Sequence, residues 1–509
     1  MLSIPYKGPM YHLRFQTGRS VSILPNQKIC VLCDGKLVWL NAKSLKVGMY
    51  VYVPHEIQGT KTVDSINVID TILQAGARLS GFYLYDFSKN LYSRLFRSSE
   101  WMRQRRRWDR YNWMKYKTMP ANYHQLFTSF DLRAATVSAS HGAKVLCQIP
   151  VTESLAALFG YYIAEGFAYL GGKEGRGRKY SYKVCYSIGP DDAQMIGEIR
   201  SAIHNITKKA RVKLRPDSRS RGLELSISDK TLFYLFKQLA GTGARSKHVP
   251  SFIMNGDRNV QQAFLCAWVN GDAGATVSKT LMTEIQYLFL LNGIVSTFCK
   301  VMRREGDVLP GGGVTKRHVS YEMCFPPIAE AKKGAFREKR LSGEPKLIPI
   351  SGMSDLILTQ FKKQFTKPRT RVTAPLMEYL RQWRSALMQG DQSSRTSRKV
   401  NNGFYRTAFH KNLLKWPAKK WQGQPELTVT GRNIVAEIDK IERLSNMDGA
   451  FIQLQKKRLT RTCKRNAYAI GSVDHNAFVC GVGGIFCSGG SVNASKDEKL
   501  ALMPWGHDL

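Results

Sequence analysis

Acidic residues are scarce in this chain. Its 509 residues hold 38 Asp and Glu against 77 Lys and Arg, a formal net charge of +39. Such a field attracts polyanions, and nucleic acid is the first candidate, although charge alone does not separate a DNA-acting protein from a structural RNA binder. Long apolar runs are missing too: none reaches the roughly 18 residues a membrane-crossing helix needs, so no membrane partner is expected. The N-terminus shows no charged segment followed by an apolar one, so no secretory signal is expected. Ten cysteines over this length lack the dense spacing of a disulfide scaffold, which points to a reducing, intracellular compartment. The histidines form no His-x-x-x-His pair with matching acids. Gly311-Gly312-Gly313 has no following Lys-Thr, which makes it a loop rather than a phosphate cradle.

What is present is a globular composition, 43% hydrophobic, in a chain long enough for about two to four domains. Residues 1 to about 75 read as short strands. Met10 to Phe15, Val21 to Leu24, Ile29 to Cys33 and Leu37 to Leu40 are separated by turn residues, among them the hairpin signal Asp34-Gly35. Between residues 84 and 149, Arg103, Arg105, Arg106, Arg107 and Arg110 are interleaved with Trp101, Trp108, Tyr111, Trp113 and Tyr116. Guanidiniums mixed with flat rings suit phosphates and bases, and the alternative is a solvated basic helix whose rings pack on a neighbour. Residues 150 to 330 alternate helix and strand, in the order helix, strands, helix, twice over. Residues 331–430 are basic and loop-rich, and short β runs return from Ala467. A β domain with a large α/β insertion accounts for ends that share a character the middle lacks.

Two stretches in the insertion look like copies of each other. Leu158-Phe159-Gly160-Tyr161-Tyr162-Ile163-Ala164-Glu165-Gly166 and Leu265-Cys266-Ala267-Trp268-Val269-Asn270-Gly271-Asp272-Ala273 are each apolar, carry two small residues four apart, and end in one acid. Positions i and i+4 share a helix face, so Gly160/Ala164 and Ala267/Gly271 form flat stripes on which two helices can approach closely. Packed together, they bring Glu165 and Asp272 to one end. A carboxylate at a helix C-terminus opposes the macrodipole, so two in matching places call for a reason, and shared divalent-metal ligation is one.

These acid-tipped helices resemble the LAGLIDADG homing endonucleases, specifically those nested in inteins. Lys247-His248-Val249-Pro250-Ser251-Phe252-Ile253 is similar to the Lys-x-Ile-Pro block before the second helix of that family, and Ser278-Lys279-Thr280-Leu281 with Leu291-Asn292-Gly293-Ile294 to the segment after it. The flanks resemble the splicing (Hint) domain: Tyr11 to Pro54, with Trp39-Leu40-Asn41-Ala42 and Gly48, looks like its N-terminal block, and Tyr468 to Phe478, with His475-Asn476-Ala477-Phe478, like its C-terminal one. The resemblance implies an α+β chain: residues 1–83 and 431–509 form an all-β Hint-like domain, 84–149 a basic, aromatic DNA-contacting arm, 150–330 the endonuclease with a duplicated αββαββα repeat, and 331–430 a basic DNA-binding insert. It implies a monomer that cuts both strands of duplex DNA with Mg²⁺. Glu165 and Asp272 would be metal ligands, Lys247 a basic catalytic residue, and Lys179, Lys183, Lys213 and Arg215 DNA contacts on the strands. The setting it implies is the cytoplasm of a prokaryotic host, with phage encoding a further option.

Several positions depart from the family. Leu24-Pro25-Asn26-Gln27 replaces its Thr-x-x-His, and Gln27 cannot serve as a general acid or base. Gly484-Ile485-Phe486-Cys487-Ser488 stands where a terminal His-Asn and a nucleophile belong, so the β domain is expected to be splicing-inactive. Asp272 is followed by Ala273 where the family has Gly, and so few residues precede Ser278 that the second saddle is expected to be short, with weakened cleavage a consequence. A DNA- or RNA-gripping maturase or regulator on the same scaffold is the rival reading. Cys30-x-x-Cys33 with Cys480 and Cys487 could form a zinc site. Against it, residues i and i+3 on a strand point to opposite faces.

Overall fold

In a computed structural model of the chain, residues 2–33, 36–54, 63–86, 118–126, 129–139, 142–171, 181–208, 210–216, 222–272, 274–292, 296–303, 318–324, 348–349, 357, 371–372, 374–392, 407–416, 425–446, 449–469, 477–480 and 485–488 are described. The chain divides into two compact units, residues 1–57 with 342–509 and residues 58–292 with 296–341. The first unit opens with strands β1 (Leu2–Phe15), β2 (Ser20–Ile23), β3 (Lys28–Cys33), β4 (Lys36–Asn41) and β5 (Tyr50–Pro54). β2 alternates with the two-residue period of a sheet with one covered face, Val21 and Ile23 being buried, whereas β3 is buried from Ile29 to Leu32.

The second unit is built on two helix–strand repeats. In the first, α1 (Glu153–Glu165) is capped by the Thr152 hydroxyl, which accepts from the Leu155 N–H at 3.2 Å. Its last residue is Glu165, and β6 (Gly166–Gly171) starts at the next one. Then come β7 (Ser181–Ile188), α2 (Ala193–Ile206), β8 (Val212–Pro216), β9 (Leu223–Ser228) and α3 (Lys230–Ala240), the strands ordered β6-β7-β9-β8 in one antiparallel sheet. In the second repeat, α4 (Arg258–Asp272) leads through Gly274, whose φ of +90° makes the turn, into β10 (Ala275–Thr276), α5 (Lys279–Leu291), β11 (Thr297–Arg303) and β12 (His318–Cys324), with sheet order β10-β12-β11. Where the first repeat has a full hairpin, the second has a two-residue strand.

Residues 63–83, grouped with the N-terminal β domain on sequence, lie in this second unit. Ser65–Asn67 pairs with Gln148–Pro150, and Phe82–Tyr85 joins a five-stranded sheet with Thr118–Pro120, Thr136–Ala139, Lys144–Leu146 and Thr207–Lys208. The reason is the apolar set Ile66, Val68, Ile69, Ile72, Phe82 and Leu84, all buried, with the helix Val68–Gln74 lying against α3. The regular structure described within 118–149 mixes short strands of this unit's sheets with two short helical segments, Ala121–Leu126 and Ser129–Ala134. The arginines that define the expected DNA-contacting arm, Arg103, Arg105, Arg106, Arg107 and Arg110, lie outside the described residues.

The C-terminal third completes the first unit. Helices α6 (Ala374–Gln392) and α7 (Val429–Asn446) bury Leu380, Trp383, Leu387, Ile434, Ile438 and Ile441 around Leu32, Tyr50 and Phe451 of the sheet. One face of α6, within the basic 331–430 stretch, is therefore core, while Glu378, Arg381 and Gln382 on the other are exposed. β13 (Gly449–Ala469) then runs antiparallel to β1 along nearly its whole length, and β14 (Ala477–Cys480) with β15 (Ile485–Ser488) closes the order β2-β1-β13-β5-β3-β15-β14, with β4 on β3. No described helix is long and apolar enough to cross a membrane.

Candidate active site

Helices α1 and α4 meet along their small residues. A Cβ placed on Gly160 would lie 2.5 Å from the Phe264 carbonyl oxygen and 2.7 Å from Cβ of Ala267, and one on Gly271 would strike Cβ of Ala164. The backbones therefore pass at a distance that only Gly and Ala allow. This pairing carries Glu165 to the final turn of α4: the Gly271 Cβ direction points to Glu165 Cγ at 3.5 Å, one residue from Asp272. Asp272 ends α4, and its side chain lies outside the described residues. Both acids occupy the same structural position, the joint where a helix gives way to its sheet.

Glu165 is half-buried. Burial pushes its carboxyl up to about 7; Lys247 pulls the other way and Asp192 adds to the rise. Lys247 is 6% exposed, its ammonium donating to the Ile163 carbonyl at 2.7 Å and lying 5.8 Å from the Tyr162 ring centre. Its loop is fixed at both ends. Gly241, at φ +81°, ends α3, and its carbonyl accepts the Tyr162 hydroxyl at 2.8 Å. On the far side α5 holds the loop: the Ser278 hydroxyl donates to the Lys247 carbonyl at 3.1 Å, and the Glu284 carboxylate accepts the Val249 N–H at 2.6 Å.

Three of these residues are not among the site residues expected from the sequence. Asp192 reads as a helix cap, yet its side chain makes no capping bond and acts instead on Glu165. Ser278 caps α5, and its hydroxyl also donates to the Lys247 carbonyl. Glu284 is a lone acid in the apolar run Leu281 to Leu291, and that isolation is the one available hint. The Glu165 carboxylate at the joint of the helix pair is an oxygen donor of the kind a hard divalent cation takes. Among the described residues no three His, Cys, Asp or Glu are grouped so that they could hold a metal ion. Cys30 is buried and Cys33 half-buried, and the side chains of Cys480 and Cys487 lie outside the described residues.

Burial also raises the Glu284 carboxyl, from the ordinary 4.5 to about 7, against the opposing hydrogen bond from Val249. The folded chain thus keeps a proton that the unfolded chain sheds, so this contribution to stability is complete below about 4.5 and disappears as pH rises through about 7. Glu284→Gln leaves an amide oxygen for the Val249 N–H and removes the titration. Urea unfolding at pH 5 and pH 8 should show a stability drop about 2 kcal/mol smaller in the variant than in the wild type. Equal drops would mean Glu284 does not titrate in this window.

The open face of the first sheet follows from its register. Tyr169 pairs with Lys183, Lys183 with Ser228, Lys213 with Ser226, and Arg215 with Glu224, which places Phe167, Tyr169, Lys183, Lys213 and Arg215 on one face. Ala168, Val184, Tyr186, Leu225 and Ile227 are buried on the other. Lys183 lies over the Tyr169 ring at 5.5 Å, and Phe167 stacks on Tyr169 at 5.9 Å. Of the expected DNA contacts, Lys183, Lys213 and Arg215 are thus brought together, whereas Lys179 and the group Arg103, Arg105, Arg106, Arg107 and Arg110 are outside the described residues.

No family model matches the chain. The DNA polymerase of Thermococcus litoralis is 21% identical over 416 residues, covering 71% of this chain and 23% of the polymerase. That of Thermococcus kodakarensis is 22% identical over 430 residues, covering 72% and 24%. The chain thus spans less than a quarter of the length of these relatives. An uncharacterized protein of Methanocaldococcus jannaschii is 27% identical over 157 residues, 30% of this chain and 18% of that one. Among solved structures, mesophilic variants of the homing endonuclease I-DmoI match with a TM-score of 0.24 and 15% identity over 34% of this chain and 89% of that one. I-DmoI with DNA and Mn matches with a TM-score of 0.24 and 16% identity over 34% and 90%.

Proposed function

We propose that this chain is a divalent-metal-dependent DNA endonuclease of the homing type, carried on a Hint-like β domain that no longer splices. The observation that carries the reading is the close passage of α1 and α4, which brings Glu165 and the end of α4 together beside the buried ammonium of Lys247. The partial coverage of the polymerases supports it as well: most of this chain aligns with under a quarter of each, the pattern of an element inserted in a longer host.

In this reading Glu165 and Asp272 hold Mg²⁺, which when bound supplies charge for the scissile phosphate and the leaving oxygen. Lys247, fixed by the Ile163 carbonyl and by Ser278, keeps a positive charge beside Glu165 and favours its ionised form. Phe167, Tyr169, Lys183, Lys213 and Arg215 form the DNA-facing surface of the first sheet, the cations meeting phosphates and the rings adding apolar area. Arg103, Arg105, Arg106, Arg107 and Arg110 are proposed as further DNA contacts on the strength of their sequence pattern alone. The two-residue β10 is the observation that favours a second reading, in which the chain grips DNA without cutting it.

Incubation of the full chain with a plasmid library in Mg²⁺, and in parallel with EDTA, separates the two. Linear products that depend on Mg²⁺ support the nuclease; retention of plasmid with no cleavage at any site supports the binder. The sheet surface has its own test. Lys213→Ser with Arg215→Ser should lower the slope of log affinity against log salt by about 1.8, two phosphate contacts at about 0.9 each. An unchanged slope would place DNA elsewhere.

A further inference from the structure

The large sheet of the first unit holds no carboxylate. Its eight strands carry ten lysines and arginines, two in β1, six in β13 and one each in β3 and β4, and no aspartate or glutamate. Three of these cations lie on one face of β2-β1-β13. Register places Arg14 opposite Lys456 and Ser20, and His12 opposite Arg458 and Ser22, so these six share a face. Arg14, Lys456 and Arg458 are exposed, and no ion pair engages them among the described residues. The other face is different: Leu13 and Val21 are buried there, and Lys457 is committed to the carbonyls of Lys43 and Leu45, at 2.7 and 2.8 Å, and to the Tyr11 ring at 4.5 Å.

Like charges directly opposite each other on a sheet repel. The same unit does neutralise its cations elsewhere, pairing Arg381 with Glu442 at 2.9 Å, Arg384 with Asp439, and Lys440 with Glu437 at 2.7 Å. An edge strand uses charge to block aggregation, but Arg14 lies on a strand hydrogen-bonded on both sides and needs no such guard. The cations are spaced about 7 Å apart along a strand and about 5 Å across strands, the scale of a polyanion rather than of a single small anion.

We infer that the face of β2-β1-β13 bearing Arg14, Lys456 and Arg458 is a second DNA-backbone footing, separate from the sheet of the first repeat and indifferent to base sequence. The inference rests on the reading of the chain as a DNA-acting protein. Duplex DNA is the occupant that reading supplies, and its regular phosphates satisfy cations on two adjacent strands at once.

The test uses the full chain and a random-sequence duplex of about 40 base pairs, a few times the length of a typical backbone footprint, with affinity measured by fluorescence anisotropy across a salt series. Arg14→Ser/Lys456→Ser/Arg458→Ser should lower the slope of log affinity against log salt by about 2.7, three contacts at about 0.9 each. Arg14→Lys/Lys456→Arg/Arg458→Lys should keep the wild-type slope, which shows that charge and not folding is responsible. A serine triple that folds and keeps the wild-type slope overturns the inference. If it does so while the Lys213/Arg215 variant still loses slope, the inference fails and the DNA reading stands; a wild type with no salt-dependent DNA affinity sinks the DNA reading itself. Duplex RNA, or vesicles rich in phosphatidylserine, bound more tightly than DNA through the same three residues would overturn the assignment to DNA.

Discussion

Asp272→Asn and Glu165→Gln should each leave a chain that binds DNA and fails to cut it. Each exchange keeps shape and removes one negative charge from the metal ligand set. A metal that stabilises the phosphate and leaving oxygen contributes several kcal/mol to the transition state; loss of about 4 kcal/mol is about a 10³-fold slower cleavage. Folding responds in the opposite sense. Burial already raises the Glu165 carboxyl to about 7, so at pH 8 the folded chain holds an anion it disfavours, and Glu165→Gln should melt no lower than the wild type. That combination, normal affinity, intact melting and lost cleavage, separates a catalytic acid from a structural one. Cleavage at wild-type rate by either variant would remove that acid from the proposed site.

Gly160→Val should be the most damaging single substitution in the helix pair. Its Cβ meets the Phe264 carbonyl oxygen at 2.5 Å, Ala267 Cβ at 2.7 Å and the Trp268 amide nitrogen at 3.1 Å. Two of those are backbone atoms, so no rotamer change gives relief and α1 must move away from α4. Overpacking of this kind costs about 3 kcal/mol, and the same displacement separates Glu165 from the end of α4. Cleavage should therefore disappear even where enough folded protein remains to bind DNA. Gly197→Ala on α2 is the control: nothing lies within 4 Å of its Cβ, and a helix-interior glycine exchanged for alanine should raise stability by about 1 kcal/mol. Denaturant midpoints of the two variants, read beside plasmid cleavage, check both statements. Wild-type stability in Gly160→Val would mean the helices do not pass as closely as the glycine requires.

How much of this can be read from the residues depends on how local the cause is. α1 is legible because its apolar run is helical and Glu165 closes it. The second repeat's short strand is legible because so few residues separate Asp272 from Ser278. The 21-residue β13 is not, since its stretch from Gln455 to Arg465 is charged and lacks the alternating apolar signature of a strand; it is a strand because β1 lies beside it. Residues 63–83 fall on the wrong side of the sequence-based boundary for the same reason, their partners at 148–150 and 136–139 being distant in sequence. At the site, the acids and Lys247 show themselves through spacing and motif. Glu284 and Ser278 act through the backbone of the Lys247 loop, and a carboxylate bonded to a distant amide leaves no mark in a linear pattern.

The joint at Glu165 has a thermodynamic corollary. Helix and strand share no linker there: the acid is the last helical residue and Gly166 is already paired with Tyr186 across the sheet. A carboxylate on a loop would have to be immobilised each time a substrate arrived, at the expense of affinity. Here its backbone is restrained once, when the chain folds, so under the proposed function the entropy of placing the acid would be settled before any DNA is present.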